Sequence, residues 1–272
     1  MKPNRLLAAT AITLATAGGA HAGVDALDLV EPVAEYKIFV TRRTAELVEG
    51  VDAFVAAVKA GDVEKAKALY PVVRVPYEQI EPIAELFSDL DVAIDSRADD
   101  YEQAEADPEF PGFHRIEYGL WEKGSTEGLD AVADKLSADV HDLHGRIDGL
   151  TFPPEKVVGG AAVLMEEVAL TKISGEENRY SRTDLWDFKA NFDGAYKIVE
   201  LVRPLIEETE ADFVAAVDGN FDKVYAILEK YEDGDGYVSY LKLTDADRNV
   251  LSAAVNTLAE DLSTLRGKLG LD

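Results

Sequence analysis

The chain has 272 residues, with 53 Asp and Glu against 27 Lys and Arg, a net charge of −26 and no cysteine. So acidic a surface attracts cations and repels nucleic acid and anionic membranes, which argues against direct binding of a polyanion. Lack of cysteine removes disulfides, thiolate nucleophiles and thiolate metal ligands, and a chain of this length can rest on its hydrophobic core alone.

Lys2 and Arg5 precede an apolar run over 6–17, and Ala20-His21-Ala22 supplies the small residues a signal peptidase needs. The pattern predicts a signal peptide over 1–22 and a mature chain, 23–272, that starts at Gly23. The run is too short to span a bilayer, and there is no cysteine to carry a lipid. Export therefore gives a chain with no membrane anchor.

Beyond Gly23 apolar residues recur three and four apart, with no alternating β-branched runs, which predicts an all-α chain. The first helix spans about 27–60, with Val33, Tyr36, Phe39, Val40, Leu47, Val51, Phe54 and Val58 facing inward, and ends at Gly61. Asp62 caps the next segment, which Pro71 interrupts; a further helix covers 72–87, and 89–100 continues as short helix or turn. A turn-rich loop over 107–112 leads into a helix over 113–121. Then follow a helix over 129–150 with Val132, Leu136, Val140 and Leu143 inside, and one opened by Pro153-Pro154 that runs to about Ile173. A polar loop, 175–181, precedes a long helical stretch over 183–217, a shorter one over 222–231 and a last one over 245–269. Short connections between some eight helices predict bundles packed along one another.

An internal echo suggests a duplication. Phe54-Val55-Ala56-Ala57-Val58 recurs as Phe213-Val214-Ala215-Ala216-Val217, each followed by a predicted turn, Gly61-Asp62 or Gly219-Asn220, and then a short helix. It predicts two tandem bundles with a cleft between them.

Three stretches bear ligand chemistry. In Pro111-Gly112-Phe113-His114-Arg115-Ile116-Glu117, a turn precedes a helix on which His114 and Glu117, three apart, project from one face. The pair suits either a metal site or a core histidine held by a carboxylate. Glu78 and Glu81 repeat the one-turn spacing on a helix flanked by Ile80, Ile83 and Ala84, with Glu85 and Asp89 further along; Asp95 falls beside Ile94, where a lone buried acid is costly. These acids suit either a cation site or a solvated face. The third stretch, from Gly175 to Asp187, runs a polar loop into a helix start; Thr183 is a candidate cap, and Glu176 and Glu177 are candidate first-turn acids.

Two look-alikes fail. His141 and His144 are one turn apart but sit among ordinary surface positions with Asp139 and Asp142. In Asp233-Gly234-Asp235-Gly236 an EF-hand register puts Tyr231 at the first ligand position and Lys242 at the twelfth. The chain also lacks a His-Glu-x-x-His zinc helix, a phosphate-binding glycine loop and a Gly-x-Ser-x-Gly elbow, and its single His-x-x-Glu cannot make a di-iron oxidase site.

Gly112-Phe113-His114-Arg115-Ile116-Glu117 fits a Gly-x-His-x-x-Glu signature, and with the segments starting at Tyr77 and Tyr180 the chain resembles the imelysin-like family, in its iron-uptake branch of EfeM/EfeO type. The resemblance covers the mature chain. With no cupredoxin domain between the leader and the helices, it is similar to the short EfeM form. It implies a two-lobed helical periplasmic protein that binds a metal ion, iron by expectation, and works with an inner-membrane iron permease and a periplasmic haem peroxidase-like protein. It also implies metal ligands at Glu78, Glu81, Asp95 and Glu177, with His114 and Glu117 as the signature pair nearby. Carboxylates with at most one imidazole suit Fe²⁺, Fe³⁺, Mn²⁺ or Ca²⁺, with Zn²⁺ also possible, better than copper(I). Four such acids without a cation would repel one another, which predicts an ion-stabilised fold. Two other readings stand beside the transport component: a metallopeptidase of the imelysin class, and a cation-bridged binder of acidic polysaccharide.

Overall fold

Apolar residues at helical spacing set the first long element. α1 (Val30–Lys59) buries Tyr36, Val40, Leu47, Val51, Phe54 and Val58 along one face, while Val33 and Phe39 are partly covered. These features belong to a computed structural model that describes residues 24–271; the expected signal peptide lies outside the described residues. Asp62 caps α2 (Val63–Ile80) by accepting from the Lys65 amide, as its position predicts. α2 then gives way to a 3₁₀ segment, Glu81–Phe87, and α3 (Ser88–Asp95) follows. α4 (Gly112–Trp121), α5 (Asp130–Gly149), α6 (Pro154–Leu170), α7 (Asp184–Val202), α8 (Ala211–Leu228), α9 (Asp245–Ser263) and the single turn α10 (Leu265–Lys268) complete the all-α architecture.

α1 packs along α2 and α5, and α6 packs along α9, which also carries α8. α2 lies against α7, and this seam joins the two groups. Buried side chains of both groups form one continuous apolar core. At Gly194 an added Cβ would lie 2.3 Å from the Gln79 carbonyl oxygen, so only glycine lets α7 approach α2 this closely. Among the described residues the β structure is one two-residue hairpin, β1 (Glu232–Asp233) and β2 (Gly236–Tyr237), within the stretch that resembled a calcium loop. Trp186 packs against it.

Three expected boundaries differ. Pro71 does not interrupt the helix: α2 runs through it with the ring buried, and packing offsets the lost hydrogen bond. The long stretch expected over 183–217 is broken instead after Val202, because Pro204 has no amide to continue the ladder. No turn forms at Gly219-Asn220, since α8 runs straight through both residues and Gly219 is tolerated at a half-exposed position. The echo with Phe54–Val58 therefore does not extend to its turn.

Candidate metal centre

The α2–α7 seam is where the charged residues go inside. Arg74 and Glu78 stand one turn apart on α2, on the stripe that also carries Tyr70, Tyr77 and Ile80, and both are fully buried. Arg74 is held by four carboxylates: Asp95 and Glu78 in close contact, Glu177 at 3.1 Å and Asp187 at 3.1 Å. The rings of Tyr70 and Phe113 flank its guanidinium at 5.8 and 5.3 Å. A second buried cation, Lys172, binds both oxygens of Glu81 at 2.7 Å and Glu78 at 3.1 Å. Asn191 on α7 donates to the same two acids.

His114 completes the group. Gly112, at φ +70°, starts α4 against the end of α3; an added Cβ would lie 2.2 Å from the Ile94 carbonyl oxygen. That approach puts the imidazole beside Asp95, the last residue of α3. His114 Nδ1 lies 3.1 Å from Glu117 Oε2, and the other oxygen of Glu117 accepts from the Tyr180 and Ser181 amides at 3.1 and 2.7 Å. Glu117 thus orients the ring and ties α4 to the loop that bears Glu177. On the opposite edge, Nε2 is buried and makes no hydrogen bond, with Asp95 Oδ1 3.4 Å and Glu177 Oε1 3.6 Å away.

The electrostatics follow from burial and charge balance. Burial pushes Asp95 up, but Arg74 and His114 outweigh it and leave the carboxyl at about 2. Glu177 is likewise raised by burial and then drawn well below the usual carboxylate range by Lys172, His114 and Arg74. Burial and the Arg74 charge push His114 down; Asp95, Glu117 and Glu177 more than reverse this, so its pKa lies well above 6.5. Burial wins at Glu81 and Asp187, both raised.

Two overlapping donor triads result: Asp95, His114 and Glu177, and Glu78, Glu177 and Asp187. In the second, all three acids bind Arg74. The first opens on a cleft of about 600 Å³ whose walls include Glu81, Asp95, Arg97 and Glu177.

All six sequence-derived candidates, Glu78, Glu81, Asp95, His114, Glu117 and Glu177, therefore gather at one place. The structure does not show four unbalanced acids, because Arg74 and Lys172 sit among them; the expected mutual repulsion is corrected on that ground. Glu85 and Asp89 lie outside, in exposed pairs with Lys156 and Arg146. Glu176 is exposed and pairs with Arg179, and Thr183 makes no side-chain cap. His141 is exposed beside Asp52, while His144 lies 3.0 Å from Thr44 Oγ1, so the two form no site. Sequence reading missed Arg74, Lys172 and Asn191 and named Asp187 only as the end of its third stretch; the signal for Arg74 was its place on the apolar stripe of α2.

The fold and this centre define a class: a helical protein with a cation-balanced cluster of acids and one imidazole at the inner end of a cleft. The Imelysin profile, named for a peptidase family, matches residues 32–265, and the chain belongs to the imelysin family. It is similar to the iron uptake system component EfeO of Yersinia pestis, 57% identical over 263 residues, or 96% of this chain and 70% of that one. The component of the same name in Escherichia coli O1:K1 is 58% identical over 246 residues, which cover 90% of this chain and 66% of the relative.

Proposed function

We propose that this protein is a periplasmic metal-binding component of an iron uptake system, with the cargo ion held by His114 Nε2, Asp95 and Glu177. The observation that carries the reading is the buried, unpartnered Nε2 facing two carboxylates while Nδ1 is fixed by Glu117. A carboxylate on the far nitrogen is the usual means of aiming a metal-bound histidine. Hard oxygen donors with one imidazole suit iron, in line with the names of the relatives, and also accept Mn²⁺, Ca²⁺ or Zn²⁺. Glu78 and Glu81 hold Lys172 and Arg74 and so shape the centre from behind.

The reading extends to a system partner, an inner-membrane permease with a haem peroxidase-like protein beside it, and to export by the predicted leader. None of the described helices is long and apolar enough to cross a membrane. A transport role is favoured over peptidase chemistry because Glu117, the acid nearest His114, is committed to the ring and two amides and is no free general base. Calorimetric titration with Fe²⁺ under anaerobic conditions tests the site: His114→Ala and Asp95→Asn should each weaken binding at least about tenfold. Unchanged affinity in both variants would refute the assignment.

A further inference from the structure

Three permanent cations touch the acid cluster, and they differ in how firmly they are held. Arg74 is fully buried and shared by four carboxylates. Lys172 is 1% exposed and bound by Glu81 and Glu78. Arg97 has an ion-pair contact with one acid, Glu177 Oε2 at 3.0 Å, and its side chain is 24% exposed. It follows α3 by two residues, and it lines the cleft beside Asp95 and Glu177.

Glu177 is the residue on which the groups converge. Its Oε1 accepts from Arg74 and lies near His114 Nε2, while its Oε2 accepts from Arg97. A multivalent cation that enters through the cleft meets Arg97 before it meets the imidazole, and a third fixed positive charge opposes its binding. Asp100 and Glu167 line the same cleft, so the guanidinium has other acids to turn to.

Resting on the metal-site reading above, we propose that Arg97 gates the centre: it competes with the incoming cation for Glu177, swings out to the cleft wall as the ion binds, and returns to help expel it. Arg97 is thus a positioning residue that sets exchange, and the ligand set is complete without it.

The test is stopped-flow and equilibrium binding of Fe²⁺ under anaerobic conditions to the wild type, Arg97→Gln, Arg97→Lys and His114→Ala, with Arg146→Gln as a surface control. The gate requires faster association and about tenfold tighter binding in Arg97→Gln, an intermediate value in Arg97→Lys and no change in Arg146→Gln. A purely structural role for Arg97 would weaken binding instead. If the wild type binds Fe²⁺ through His114 but Arg97→Gln binds no faster or more weakly, the gate is overturned and the site stands. If His114→Ala binds as the wild type does, or the wild type does not bind, the metal-site reading fails and the gate with it.

Discussion

The two donor triads that share Glu177 are close in composition and opposite in use. Glu78, Glu177 and Asp187 close around Arg74, whereas Asp95, Glu177 and His114 Nε2 converge beside a cleft. The difference is how completely Arg74 claims the set: it binds every member of the first, whereas in the second it binds Asp95 and Glu177 but leaves His114 Nε2 without a partner. A gathering of acids can take an ion where an imidazole nitrogen is left unpaired beside it and a cleft reaches it.

The harshest way to break this contrast is Arg74→Met, which strips the closed triad of its cation. Loss of one partner from a buried ion cluster should destabilise the fold by about 3–5 kcal/mol in chemical denaturation. Added Mn²⁺ or Ca²⁺ should recover part of that loss, because Glu78, Glu177 and Asp187 then lack their shared counter-charge; failure of any cation to do so would show that the closed triad cannot become an ion site. Glu117→Gln sharpens the other side of the contrast. It loosens the ring without touching a proposed ligand, and iron affinity measured by calorimetry should fall about 10–100-fold.

The loop that carries Glu177 gives a pH test. Asp184 accepts from the Asn178 amide, and burial raises its carboxyl to about 7, against 3.8 when exposed. The native state therefore holds a proton that the unfolded chain releases. This contribution is complete below about pH 4 and is lost as pH rises through about 7. Asp184→Asn should flatten the fall in stability between those values, followed by thermal melts across pH. The smallest effect belongs to the surface: Arg146→Ala, which frees Asp89 and Asp142, should leave the denaturation midpoint nearly unchanged.

Much of this was legible in the chain itself. Helical periodicity marks α1 and α5 with nearly the right inward faces, and the turn before His114 marks the start of α4. The five acids and one imidazole of the centre are all visible: Glu78 with Glu81 and His114 with Glu117 by one-turn spacing, Asp95 by its place beside Ile94, and Glu177 through the family resemblance. Their counter-cations are not. Arg74 lies on α2 and Lys172 on the 3₁₀ turn after α6, where charge is ordinarily assigned to water, and only tertiary packing turns them inward. Proline and glycine misled in the same way, since Pro71 and Gly219 are absorbed by helices whose packing or exposure tolerates them, while Pro204 ends one.

The cleft reaches Asp95 and Glu177, and behind them the rings of Tyr70 and Phe113 flank Arg74. On the proposed function, this cleft is a doorway for both loading and unloading. A door used both ways has no inherent direction, so whatever docks at its threshold decides whether the protein collects its cargo or surrenders it.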